Sequence, residues 1–310
     1  MPSSVLRWVW IALFLVGWQC PIFGQTPISQ ITAVDVADPT QDWGLSYFNL
    51  ASSSVELANT GASSWFSYHY LAANYRYSFS RRLSIRLPFT TTTPGVYDQR
   101  NNTRQFDTQL ADIHFVYNDF QFKEFPNEWD LSASFYLYLP TSQTAKERGW
   151  FTRLRAWFNL EKKLNRRTLF AVWLKPDYYF NTQKAYRSER VRTASDGTTF
   201  TQLRAFNNQR GELETSLVLN YSFNRVLAPQ VAIVYTQNFM EDSVYAFDRT
   251  TYRDSLGINV ATWVQINQQL RFLVGYSTQR GLTNALPWEQ GPLGAPSQSE
   301  YTLMTFWNFF

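Results

Sequence analysis

The chain has 310 residues, of which 45% are hydrophobic, 18% aromatic and only 17% charged, and its formal net charge is +4. Its 12 Trp, 18 Tyr and 25 Phe exclude an intrinsically disordered chain, and its basic residues are scattered rather than blocked, which argues against a nucleic-acid surface. The mean hydropathy is −0.33 and no apolar run of ~18 residues occurs beyond the N-terminus, so a bundle of membrane-crossing helices is excluded.

Residues 1–24 follow the order of a secretory signal: a cation at Arg7, an apolar stretch over 8–18, then turn-forming residues, with cleavage expected after Gly24. Cys20 would leave with that segment, so the mature chain is expected to carry neither disulfide nor thiolate site. Residues 25–42 read as a polar leader, and 43–310 as one β-domain.

In that domain apolar residues recur at every second place, which is the strand period. The clearest runs are Leu83, Ile85, Leu87 and Phe89; Leu131, Ala133, Phe135 and Leu137; Leu213, Thr215, Leu217 and Leu219; and Ile258, Val260, Thr262 and Val264. The alternation predicts strands over 43–58, 65–79, 82–90, 109–121, 129–140, 150–162, 168–180, 211–223, 228–240, 254–266, 270–281 and 301–310. Short connections carry turn residues (Ser80-Arg81, Pro126-Asn127, Asn165-Arg166, Asn267-Gln268) and alternate with long polar ones, including 181–210. Centring the short turns pairs Asp112 with Tyr138, His114 with Tyr136, Arg153 with Asp177, Trp157 with Trp173, Arg155 with Lys175 and Gln265 with Arg271. Pro88, Pro140 and Pro176 fall near loop ends, where a missing ladder donor is tolerated.

Alternation fits a secreted β-sandwich as well as a membrane barrel. Strands of ~12 residues favour the barrel, since they exceed the five or six usual in soluble sheets and match a tilted crossing of the hydrocarbon layer. Aromatics gather at strand ends, as at Tyr75, Tyr77, Phe79, Trp129 and Trp150, in the manner of interface girdles. The final segment, 301–310, is an aromatic strand ending in Phe310.

A signal segment, an up-and-down meander and a terminal strand ending in Phe resemble Gram-negative outer-membrane β-barrel proteins. Asn308 departs from the aromatic or apolar residue usual two places before the end of that family's chains. The runs Leu110-Ala111-Asp112-Ile113 and Leu137-Tyr138-Leu139-Pro140-Thr141 are similar to runs in a broad group of outer-membrane transporters. The resemblance implies an all-β, transmembrane antiparallel up-and-down barrel of about 12 strands in the outer membrane, with short periplasmic turns and long extracellular loops. It implies as partners outer-membrane lipid and the barrel-assembly machinery, with small solutes in the lumen; the oligomeric state stays open.

The lumen-facing candidates are Arg86, Asp112, His114, Arg153, Arg155, Lys175, Asp177, Glu212, Glu214 and Arg271. They suggest either a charged constriction selecting small polar or charged solutes or a salt-bridge network filling a non-conducting, surface-displaying barrel. A third reading is a lipid-modifying hydrolase using Asp112, His114 and Ser134, the raw material of a Ser-His-acid set. No cofactor motif stands out, and His69 has no second His or Cys to make a metal site.

Overall fold

The computed structural model describes residues 42–59, 65–93, 107–193, 199–246, 250–282, 293–295 and 298–309. The signal expected over 1–24, the leader up to residue 41, Cys20 and Phe310 lie outside the described residues.

The strands are β1 (Trp43–Ser54), β2 (Trp65–Arg76), β3 (Arg81–Thr93), β4 (Asp107–Leu110), β5 (His114–Phe125), β6 (Trp129–Tyr138), β7 (Trp150–Lys163), β8 (Thr168–Asn181), β9 (Ala185–Thr193), β10 (Thr199–Asn207), β11 (Gln209–Tyr221), β12 (Leu227–Met240), β13 (Tyr252–Gln265), β14 (Leu270–Gly281) and β15 (Ser299–Asn308). Two short helices, α1 (Val55–Asn59) and α2 (Gln143–Arg148), follow β1 and β6. Each barrel strand pairs antiparallel with its neighbours, and β15 returns to β1 in the register Ser46–Asn308 to Ser54–Glu300. The result is a closed twelve-strand barrel with no free edge. The twelve predicted strands match its twelve walls, with β4 and β5 together forming one of them.

The faces follow from the alternation. Leu87, Leu137, Leu219, Ile233, Val274 and Leu303 point outward and are 38–56% exposed, while Ser84, His114, Asn118, Ser216 and Asn220 are buried inside. An apolar exterior around a polar interior is the inverse of a water-soluble barrel and matches a lipid-facing wall. Rings mark both ends of the wall. Trp43 meets Tyr75 at 4.7 Å and Trp307 meets Phe309 at 4.8 Å at the short-turn end; Tyr178 meets Phe180 at 4.8 Å toward the long loops. Inside, Phe48, Tyr70 and Ala72 form one small apolar cluster and Leu169, Ala171, Val218 and Ala232 another.

Three short turns share one device. The side-chain oxygens of Asn165, Asn224 and Asn267 each accept hydrogen bonds from the backbone N–H groups two and three residues ahead, at 2.8–2.9 Å. The turn after Leu164 is therefore centred one residue later than predicted, and the β7–β8 register is displaced by two: Arg155 faces Asp177, and Asn159 faces Trp173. The β5–β6 register is displaced likewise, with a bulge between Asp119 and Lys123, so His114 faces Tyr138 and Val116 faces Tyr136. A shift of two keeps every side chain on its predicted face. The predicted pair Gln265–Arg271 is found as expected.

Pro88 and Pro176 lie within strands rather than at loop ends, each beside an interruption. Pro88 sits where β3 passes from β5 to β4, and Pro176 opposite a gap in the β7–β8 ladder. The break between β4 and β5 is clasped from outside the strand. Thr141 Oγ1 donates to the Ala111 carbonyl at 3.0 Å and accepts from the Ile113 N–H at 2.9 Å, and Asp112 Oδ1 accepts from the Ser142 N–H at 2.9 Å. The two short runs singled out in the sequence thus meet in space. Ser142 also caps α2, which ends at Gly149 in the left-handed conformation (φ 68°). Finally, the 181–210 stretch, read as loop, contains the β9–β10 hairpin, a separate two-stranded sheet.

Candidate functional site

A cavity of about 1350 Å³ occupies the lumen. Its walls differ in chemistry. On one side the inward positions of β2, β3 and β6 to β8 supply Tyr68, Tyr70, Arg86, Tyr136, Tyr138, Arg153, Arg155, Trp157, Trp173 and Lys175. Across from them, β13 to β15 present Gly257, Asn259, Ala261, Gly275, Ser277 and Thr302, together with the charged Arg253, Asp254 and Glu300. At Gly275 an added Cβ would lie 3.0 Å from Ala261 Cβ, so the close approach of β13 and β14 depends on the missing side chain.

Charge on the first wall is arranged around Asp177. Arg153 Nε donates to Asp177 Oδ1 at 2.8 Å and a terminal nitrogen reaches Oδ2, while Arg155 donates to Oδ2 at 2.7 and 2.9 Å. The carboxylate is fully covered by these two guanidinium groups, of which Arg153 is 18% and Arg155 30% exposed. Arg153 is held between the rings of Tyr138 and Tyr179, at 4.8 and 4.6 Å. On the next strand pair Lys175 Nζ bonds Glu214 Oε1 at 2.6 Å and lies 4.7 Å from the Trp157 ring centre. Arg155 and Lys175, paired by centring the turn, are not opposed: Arg155 faces Asp177 and Lys175 is bonded to Glu214. Arg86 packs against Tyr70 at 4.5 Å and Tyr136 at 5.5 Å. Three of these four cations are paired with Asp177 or Glu214, and Asp112 and Glu161 also border the cavity.

Of the sequence-derived residues, Arg86, Asp112, His114, Arg153, Arg155, Lys175 and Glu214 line the cavity. Asp177 lies beneath its arginines. Glu212 accepts from Gln209 Nε2 at 3.0 Å, and Arg271 packs over Phe306 at 4.8 Å. The tyrosine and tryptophan lining was not singled out in the sequence, although its period-two placement on the charged face was readable there. Asp112, His114 and Ser134 do not form a catalytic set. His114 Nδ1 contacts the Asp112 backbone carbonyl at 3.0 Å, the Asp112 carboxylate turns to Ser142, and Ser134 donates to Asn118 at 2.8 Å. His69 lies on the outer wall, where Nδ1 contacts Tyr47 Oη at 2.7 Å and Asn49 Nδ2 at 3.0 Å, and Nε2 contacts Thr91 Oγ1 at 2.9 Å. No group of three His, Cys, Asp or Glu able to hold a metal occurs among the described residues.

A closed twelve-strand barrel with a charged lumen and an apolar exterior invites comparison with solved membrane barrels. An outer membrane channel from Pseudomonas putida F1 is 13% identical, with a TM-score of 0.51, over 88% of this chain and 100% of that one. The chain shares the β-barrel fold of that protein. Less similar are the NanC porin (8% identity, TM-score 0.41, 84% of this chain and 97% of that one) and the Pseudomonas putida toluene transporter TodX (12%, 0.41, 93% and 94%). No protein-family model and no curated protein sequence matches the chain.

Proposed function

We propose that this outer-membrane barrel is a passive channel for small solutes, with a preference for anions. The observation that carries the reading is the row of guanidinium and ammonium groups, Arg86, Arg153, Arg155 and Lys175, along one wall of the lumen cavity, where the carboxylate of Asp177 is itself fully covered. Fixed charges within low-dielectric walls act strongly on a passing ion, so a row of cations at one level of the lumen biases permeation. The solved channel of the same fold supports conduction through the lumen. In this reading the apolar band sits in the outer membrane, the Asn-capped turns face the periplasm and the β9–β10 hairpin faces outward.

The test is conductance in a planar bilayer under a salt gradient. The wild-type chain is expected to give a reversal potential on the anion side. Replacing Arg153, Arg155 and Lys175 together by Ala leaves Arg86 facing Asp177 and Glu214, and should turn the preference toward cations. An absence of current at every voltage would instead favour a filled, non-conducting barrel.

A further inference from the structure

Among the cations of the lumen wall, Arg86 stands apart. Arg153 and Arg155 share Asp177, and Lys175 has Glu214. Arg86 has no carboxylate within ionic contact among the described residues, and its Nε is buried with no hydrogen-bond acceptor. What it has are rings: Tyr70 at 4.5 Å and Tyr136 at 5.5 Å, with His114 paired to it across the β3–β5 ladder. Ring contacts attract a guanidinium but cannot accept its in-plane hydrogen bonds or neutralise it. Its neighbours Arg153 and Arg155 on β7 border the same cavity.

We propose that Arg86, framed by Tyr70 and Tyr136, is a binding site for a small organic carboxylate carrying a flat aromatic body. The proposal rests on the channel reading, since the solute reaches Arg86 through the lumen. A guanidinium pairs with a carboxylate through two parallel hydrogen bonds, a geometry that a spherical halide cannot use. The surface around Arg86 selects the rest of the ligand. Phe48, Tyr68, Trp157 and Trp173 border the same cavity and offer ring faces, and Gly257, Ala261 and Gly275 on the far wall leave space beside them. Rings stack favourably on such faces, whereas a short aliphatic acid has only its charge to contribute.

The experiment adds benzoate, acetate or benzyl alcohol to the full chain conducting chloride in a planar bilayer. Benzoate should half-block the current at a concentration at least tenfold below that of either other probe, because only benzoate carries both the carboxylate and the ring. Arg86→Met should abolish that tenfold preference, read as the ratio of half-block concentrations within the variant's own current, and Arg86→Lys should recover only part of it. Equal half-block concentrations for the three probes, or a preference unchanged in Arg86→Met, would overturn the site while leaving the channel standing. If the wild-type barrel carries no current, the channel reading fails by itself. Quenching of tryptophan fluorescence by the same three probes in detergent then decides the site by the same ranking, which also serves if the Met variant does not fold.

Discussion

Asp177 holds two guanidinium groups with one carboxylate, out of contact with solvent. Removing that charge strands two partly buried cations, the circumstance in which a broken ion pair costs most. Asp177→Asn is expected to lower unfolding stability in urea by about 3 kcal/mol, read by tryptophan fluorescence in lipid vesicles. The same change adds one net positive charge to the lumen, so anion preference should rise while stability falls. A double variant that also replaces Arg153 by Met should regain part of the loss. The outer-wall cluster shows the opposite arrangement. Tyr47, Asn49, His69 and Thr91 satisfy one another within a surface otherwise suited to lipid, so nothing in the cluster asks for an outside partner.

The clasp across the β4–β5 break depends on a single hydroxyl. Thr141→Val keeps the shape of the side chain but leaves the Ile113 N–H and the Ala111 carbonyl without partners, and should destabilise the barrel by about 2 kcal/mol in the same urea assay. Such a clasp is not legible from periodicity: the alternation reads strand 109–121 as continuous, whereas the break changes the register by one, so Leu110 faces outward opposite Phe89 and His114 inward opposite Arg86. Apart from β4, the faces of the walls could be read, since a period of two determines which residues share a side. Register could not be read as well. The Asn165 side chain takes over two backbone donors and moves the centre of its turn, a local bond that strand patterning does not contain. Hence Arg155 rather than Arg153 lies opposite Asp177, although both reach it, since diagonal neighbours on one face remain within range of a long side chain. The β9–β10 hairpin was missed for a related reason. Its sequence, with Arg187, Ser188, Glu189 and Arg190 in succession, has no apolar face for alternation to reveal.

Closure of the whole sheet depends on β15, which completes two ladders at once, one with β14 and one with β1. A chain truncated before Ser299 would expose two unpaired edges to lipid, where no water can satisfy them. It should therefore yield no heat-shifted folded band on gels, whereas the full chain, recovered with detergent from the outer-membrane fraction, should show one. Recovery of the full chain in the soluble fraction would contradict the membrane placement. The two unlike walls of the cavity carry a last consequence. Arg86, Arg153, Arg155 and Lys175 on β3, β7 and β8, set against Gly257, Ala261 and Gly275 on β13 and β14, give the bore an electric field with a component across it as well as along it. A solute with separated charges would be turned as it passed, its negative end toward the arginines and its neutral end toward Gly257 and Gly275. Such a bore sorts molecules by the orientation they can adopt in transit, so that two isomers of equal size and charge would cross at different rates.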